Sequence, residues 1–408
     1  MARPLAIPRC PDEAAGARRG AAFLVWVAAT LAASAGSLSA AQTAGDVTGT
    51  ETDAETQPPA APTAADAEEP AGTQAPLQVV WEAGIGQGAT APPAVLGDRL
   101  FVATTRKDVK AFDLATGREI WSSDLARGFQ ASPVPAGPAL LVAAPHPDAK
   151  ALGLNPATGE VLWEREIGDL AQAPVVESGV AVFVSQNGRV AALDVATGEP
   201  RWRTRQDGVF TGGLALSGDD LLVLSAAGVL HRLDARSGEP RGSVELGGGA
   251  VPALLGLPDG SGVLAATHAG RVRAYGFDLS TRPLELSVTP MVHPPALATP
   301  HGGADPRLIV PGADKVLRAY ALAGGAIQWE RAFDVAFAAR PAVSADGARI
   351  AVGDLAGIVW TLDAASGEIL SRTPTPGGAA VPVWTPEGRL AVVTSRGSLM
   401  LLATTSAA

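Results

Sequence analysis

From residue 77 onward, apolar runs of a few residues alternate with short clusters of Gly, Pro, Asn, Asp and Ser. In one stretch, residues 174–177, 180–185, 190–194 and 200–204 form four such runs. Asn187-Gly188 separates the second from the third, and Ala196 to Gly198 separates the third from the fourth. Runs this short, bounded by turn residues, read as four strands joined by hairpins. The same layout fits residues 92–128, 133–169, 214–248, 252–290, 295–334 and 341–378.

One segment recurs through these units. It reads AFDLATGREIW at residues 111–121, with variants at 154–163, 193–202, 233–242, 320–329 and 362–371 and a degenerate copy at 277–286. A strand closes on Asp113, a turn follows, and Trp121 stands four residues into the returning strand. Gly117 supplies the positive φ that a short hairpin loop with a bulge requires. The turn glycines are Gly117, Gly159, Gly198, Gly238, Gly325 and Gly367, with Arg282 in the missing slot. Successive positions differ by 42, 39, 40, 44, 43 and 42. A period near 40 with turn and aromatic at fixed offsets marks a repeat of four-stranded units. Asp194, Asp234 and Asp363 repeat the role of Asp113.

The two ends complete each other. The last unit, from residue 382, holds three strands, and VVWEAGIG at 79–86 matches VLWEREIG at 161–168, with Trp81 opposite Trp163. Joining them gives eight full units and removes the open sheet edges of a linear array. The expected fold is all-β: an eight-bladed β-propeller over residues 77–408, closed by an N-terminal strand. Trp81, Trp121, Trp163, Trp202 and Trp329 share one position and are expected to pack between blades. Each indole buries roughly 150–250 Å², worth roughly 4–6 kcal/mol as an upper figure. Gly242, Leu286 and Ser371 replace Trp in three units, so those junctions are expected to pack differently.

Composition narrows the class. With 47 Gly, 33 Pro and 18% charged residues, the chain suits many strands and turns. A net charge of −10 does not indicate a nucleic-acid partner. Cys10 is the one cysteine, which excludes an internal disulfide framework. Residues 1–42 carry four arginines ahead of an uncharged apolar run, 21–35, followed by small residues. This is an export pattern, and both a cleaved signal peptide and an uncleaved membrane anchor remain open. Residues 43–76 hold seven carboxylates, no Lys or Arg, and mostly Ala, Thr and Pro, which reads as a disordered acidic linker.

The A-x-D-x-x-T-G-x-x-x-W pattern at residues 111–121 and 192–202 resembles the repeat of the pyrroloquinoline-quinone-type β-propellers. The resemblance covers residues 77–408. One branch contains quinoprotein dehydrogenases, with bound quinone, calcium, a catalytic Asp, long insertions and usually an adjacent cysteine pair. This chain has no such pair, and its short period leaves no room for long insertions. The five histidines, His146, His231, His268, His293 and His301, show no metal-ligand spacing. The other branch, the BamB family, has eight such blades, an exported location and no catalytic residues. That resemblance implies a scaffold that binds proteins in the bacterial envelope and assists outer-membrane β-barrel assembly. Its members are usually lipoproteins, whereas no lipid-acceptor cysteine follows the apolar run here. The reading is therefore a non-enzymatic, exported scaffold without cofactor, periplasmic or anchored. A generic ligand-binding propeller and a quinoprotein dehydrogenase stand as alternatives.

A partner is expected on the loops between successive blades. These carry Arg127, Phe129, Gln130, Phe210, Met291, His293, Phe337 and Arg340. Aromatics, Met and Arg favour interface centres. The competing reading of Phe129, Phe210 and Phe337 is that they plug gaps between blades. Trp384, on an expected innermost strand, reads either as packing or as the floor for a flat ligand. The opposite face, made of tight turns, is expected to offer little to grip.

Overall fold

The structure, a computed structural model, describes residues 77–403 apart from 107, 126, 127, 146–148, 171 and 302–304. The expected export segment and acidic linker, with Arg127 and His146, lie outside the described residues. Among the described residues the regular elements are thirty-two strands. They form eight four-stranded antiparallel sheets, each a blade of a closed propeller. Blade 3 is typical. Its strands β10 (Val175–Glu177), β11 (Val180–Val184), β12 (Arg189–Asp194) and β13 (Pro200–Arg205) pair in chain order from the channel outward. Blade 8 breaks that order. Its β30 (Ala380–Trp384), β31 (Leu390–Thr394) and β32 (Ser398–Ala403) are completed by β1 (Gln78–Gly84) from the start of the repeat region. Trp81 faces Leu401 and Gly84 faces Ser398 in that pairing, so the ring closes as expected.

The core is a set of eight seams, one between each pair of adjacent blades. The middle strands are buried on both faces, as in β11, which explains their continuous apolar runs. In the seam between blades 1 and 2, Phe101, Trp121, Phe129, Leu140 and Leu152 pack together.

The repeated segment ties each seam at its outer end. The Asp113 carboxylate accepts hydrogen bonds from the Thr116 amide at 2.8 Å and its hydroxyl at 2.6 Å. These bonds, the hydroxyl's foremost, hold its pKa below the usual value. Asp234 and Asp363 accept the equivalent amide bonds at 2.8 Å, and Asp194 at 3.1 Å. Gly117 then takes φ +71°. The indole of the preceding blade lies directly on it, since a Cβ at Gly117 would sit 2.4 Å from Trp81. Trp121 meets Gly159, Trp163 meets Gly198, Trp202 meets Gly238 and Trp329 meets Gly367 in the same way. Each indole also donates from Nε1 into the next blade, to Leu114, Pro156, Val195, Ala235 and Ala364 carbonyls at 2.8–3.1 Å. The turn glycine is therefore required twice, by its φ and by the ring stacked on it.

The three seams without this indole differ for identifiable reasons. Leu286 lies on Gly325 in its place. Gly242 faces the degenerate turn of blade 5, where Leu279 takes φ +67° and approaches it. Ser371 belongs to blade 7, whose neighbour has no third-to-fourth turn because its outer strand comes from the other end of the chain. Its hydroxyl bonds Thr361 instead, at 2.6 Å.

Antiparallel strands sort the connections onto two faces. The turns after first and third strands form one, the turn face. The turns after second strands and the blade-to-blade connections form the other, the loop face. There, five of the connections lean on the preceding blade. Amides of Phe129, Phe210, Ala250, Met291 and Ala380 donate to carbonyls of Thr104, Gln186, Ala226, His268 and Asp354 at 2.9–3.2 Å.

Two measurements probe this frame. Gly159→Ala must displace Trp121 and should cost about 3 kcal/mol or more, whereas Gly137→Ala, with similar positive φ but open space around it, should cost about 1 kcal/mol. Equal losses in denaturant melts would mean that the stacked indole yields freely. Deleting residues 77–84 removes β1 and exposes β32, so the truncated chain should aggregate on size-exclusion chromatography. A stable monomer would contradict closure through that pairing.

Candidate functional site

The loop face gathers most of the residues expected to meet a partner, but it does not present them alike. Phe129, Phe210, Met291 and Phe337 are all buried, Phe337 the least at 5% exposure. For the three phenylalanines this is the seam-plugging reading, and the expectation of surface contacts is corrected with it; for Met291 it corrects the expected surface contact. They occupy equivalent places, each at the entry to a blade's innermost strand. For Phe129, Phe210 and Met291 the preceding blade's turn holds the backbone there, and for Phe337 the turn of its own blade does, at Gly353 to Leu355, so the side chain enters the seam. Phe129 lies in the seam of blades 1 and 2, Phe210 in that of 3 and 4, Met291 in that of 5 and 6, and Phe337 in that of 6 and 7.

Gln130 and Arg340 are exposed, and His293 is half-buried. His293 donates from Nε2 to the Phe337 carbonyl at 3.1 Å, and burial pushes its pKa below the usual value, so the ring is neutral near pH 7. Arg340 stands just ahead of β26 (Ala342–Val343), at the loop-face mouth of the channel. Its side chain is open to water, yet surrounding protein desolvates it enough to lower its pKa. No carboxylate among the described residues pairs with it.

Exposed apolar side chains stand beside these positions. Val292 follows Met291 and is 62% exposed; Val209 precedes Phe210 and is 56% exposed; Leu355 is 55% exposed. Leu355 donates its amide to Ala336, one residue before Phe337, so it borders the His293–Phe337 contact. An extended connection turns successive side chains to opposite sides. Burial of Phe210 and Met291 therefore sends Val209 and Val292 outward. Sequence reading centred on the aromatics missed these three. His293, next to Val292, and Leu355 are thus both tied to residues 336–337, three residues ahead of Arg340, and Phe337 packs edge-to-face on Phe333, which packs in the same way on Trp360, each at 5.3 Å. This patch combines a rigid base, exposed aliphatic area and an unpaired cation, which suits an apolar segment bearing a carboxylate.

The turn face is not bare. Trp384 closes the inner strand of blade 8, donates to the Ala342 carbonyl at 3.3 Å and carries the Arg349 guanidinium 4.8 Å above its ring. With Pro93, Val95, Val343 and Pro386 it lines an open recess of about 420 Å³. Among the described residues no group of three or more His, Cys, Asp and Glu side chains is placed to hold a metal ion.

Comparison with known proteins agrees with this architecture. A chain from Bordetella pertussis named outer membrane protein assembly factor BamB is 29% identical over 351 residues, covering 80% of this chain and 86% of the relative. The crystal structure of BamB from Moraxella catarrhalis superposes with a TM-score of 0.65 at 19% identity, over 80% of this chain and 99% of that one. A europium-containing methanol dehydrogenase superposes at 0.62 and 13% identity, over 80% and 93%, a likeness in fold alone. The profile of the family described as outer membrane protein assembly factor BamB matches residues 78–244 and 313–407, omitting the stretch with the degenerate turn of blade 5. A match over most of the propeller places the chain in that family: it belongs to the BamB outer membrane protein assembly factors.

Proposed function

We propose that this chain is a non-catalytic scaffold of the cell envelope that assists assembly of outer-membrane β-barrel proteins. The observation that carries the reading is the family match along the repeats, together with relatives named for that role. The blade geometry agrees with it. Successive strands are joined by short connections, so binding area comes from the ring's own faces, and the loop face offers the exposed patch described above. The shared fold of a methanol dehydrogenase does not transfer its chemistry, since sites rather than folds carry function. Residues 1–42 serve export in this reading, as a cleaved signal or an anchor, and residues 43–76 as the tether. A flexible chain of that length spans roughly 30 Å, more with charge repulsion and prolines.

In this reading the contact residues are Val292, Leu355 and Arg340, on the loop face of blades 5 to 7. Pull-down from bacterial envelope extracts tests this. Val292→Asp with Leu355→Asp should sharply reduce recovery of outer-membrane assembly components while the thermal melt stays within a few degrees, because exposed positions contribute little to stability. Equal recovery by parent and variant would place the contact elsewhere. Recovery of a quinone with dye-linked alcohol oxidation would replace the scaffold by a dehydrogenase.

Stability measurements separate binding from packing residues. Arg340 is exposed and has no carboxylate partner among the described residues, so Arg340→Met should leave stability within about 0.5 kcal/mol. Phe337→Ala should lower it by about 3–5 kcal/mol. A large loss with Arg340→Met would show that the guanidinium holds the fold rather than a partner.

A further inference from the structure

Charges that the blades set side by side are commonly neutralised within the fold. Lys150 holds Glu164 at 2.8 Å, Arg273 holds Glu285 at 2.8 Å and Arg318 holds Glu330 at 3.3 Å, each across a third and a fourth strand. Between blades 2 and 3, Arg165 holds Glu199 at 2.7 Å. Blade 4 shows how two like charges are accommodated. Asp220 lies directly opposite Asp234. The Arg241 guanidinium bridges the two carboxylates, donating to Asp220 at 2.9 Å and to Asp234 with its other nitrogen.

Blade 3 holds the same arrangement with the sign reversed and the bridge missing. Arg205, at the end of β13, lies directly opposite Arg189, at the start of β12. Residues so paired stand about 4.5–5.5 Å apart at Cα, where like charges oppose strand pairing. No other pairing of a third with a fourth strand among the described residues sets two cations opposite each other. Arg203 stands two residues before Arg205 on the same face, about 7 Å along the strand. Neither Arg203 nor Arg205 has an ion-pair or hydrogen-bond partner among the described residues. Arg189 reaches only the Ile167 carbonyl, at 3.4 Å. Arg372 holds the place of Arg203 in blade 7, but it lies over the Trp360 ring, and Pro374 stands where blade 3 has Arg205.

The three guanidiniums line a groove of about 330 Å³ between blades 2 and 3, together with Ile167, Thr204 and one carboxylate, Glu166. Glu166 forms no ion pair among the described residues. Three cations against one carboxylate leave the groove with two positive charges. Its frame is fixed: the Arg189 amide donates to Ser185 Oγ at 2.9 Å, and its carbonyl accepts from the Ser185 amide at 2.8 Å.

We propose that this groove is an anion site that takes a phosphate ester, which bridges Arg189 and Arg205 as Arg241 bridges Asp220 and Asp234. A phosphomonoester carries about −1.5 to −2 at pH 7 and offers three acceptor oxygens. That matches both the charge of the groove and its three guanidiniums, whose forks suit such oxygens. A carboxylate brings one charge and two oxygens and would leave a guanidinium unmet. The volume lies at the low end of the roughly 300–1,000 Å³ of small-molecule sites, with room for a phosphate and the group that carries it. A phosphorylated sugar in solution and a phosphomonoester lipid headgroup share this chemistry. The charges carry the inference independently of the proposed envelope role.

Titration calorimetry and thermal melts on the full chain, at constant ionic strength, test it. The probes are glucose 6-phosphate, glucose as its uncharged control, and phosphatidylcholine vesicles with and without phosphatidic acid. A phosphate probe should bind the parent, and Arg189→Gln with Arg205→Gln should weaken that binding about tenfold or more. Arg201→Gln removes a cation already paired with Asp194 and should leave binding unchanged. Without any probe, the double variant should melt no lower than the parent, since the repulsion across the ladder is gone. Binding of glucose 6-phosphate without sedimentation on the acidic vesicles assigns the site to a soluble ester. Sedimentation on those vesicles without a response to glucose 6-phosphate assigns it to a headgroup. Equal binding by parent and double variant, or no binding of either probe by the parent, would overturn the proposal. A double variant that melts well below the parent would also overturn it, because the arginines would then be holding the fold.

Discussion

The pairing of β1 with β32 is the contact on which the ring depends. Every other blade is built from consecutive strands whose closure costs little chain entropy. This one joins residues more than three hundred positions apart. Without it, blade 8 would present β32 as an open edge, and the seams on both sides would lose a wall. The residue next to the pairing shows how closely the junction is fitted. Leu77 is buried with Leu390, Met400 and Leu402, and its amide donates to Thr373 of blade 7. The chain thus enters the fold by binding the blade before the one it completes. That also accounts for Ser371: a seam spanned by the chain's own entry has no turn glycine on which an indole could rest.

The indole and the glycine are two halves of one contact, and this makes the repeat legible. Five of the eight seams set a flat ring on one blade against a residue without Cβ on the next, so both recur at the repeat period, and so does the carboxylate that fixes the turn. Strand number, ring closure and the exceptional seams follow from that periodicity. Phe129, Phe210, Met291 and Phe337 were not legible in the same way. They also recur, one per connection, but an aromatic in a loop has the same composition whether it plugs a seam or meets a partner. What settles its direction is backbone hydrogen bonding to a neighbouring turn, of the preceding blade for three of them and of its own blade for Phe337, which leaves no mark on side-chain identity. The exposed aliphatics Val209, Val292 and Leu355 escaped for the converse reason, since each is a single apolar residue beside a turn.

Burial and exposure on the loop face are coupled by this geometry. A connection pinned at one residue must turn the adjacent one outward, so filling a seam with Met291 obliges Val292 to face water. Natural choice at such forced positions is informative. Polar residues stand at the equivalent place in other blades, as with Gln130 after Phe129 and Thr211 after Phe210. A valine there, beside an exposed leucine and a desolvated arginine with no counter-ion, concentrates unfavourable exposures in one sector. Each costs the isolated protein a little, and together they are what a docking surface requires.

The rim follows a different logic. Its outer strands each bulge at the residue before the tryptophan position in most blades, as Arg201 does between Pro200 and Trp202. A bulge twists the edge and discourages further pairing. Charges strengthen that protection when they are balanced within the blade, because a strand arriving from outside finds every partner taken. Blade 3 keeps the bulge but leaves its cations unbalanced beyond it, from Arg203 to Arg205. Repulsion alone would guard this edge against a basic or neutral strand. The eight seams are solutions to packing, but an uncompensated row of guanidiniums solves no packing problem and acts at this edge by repulsion.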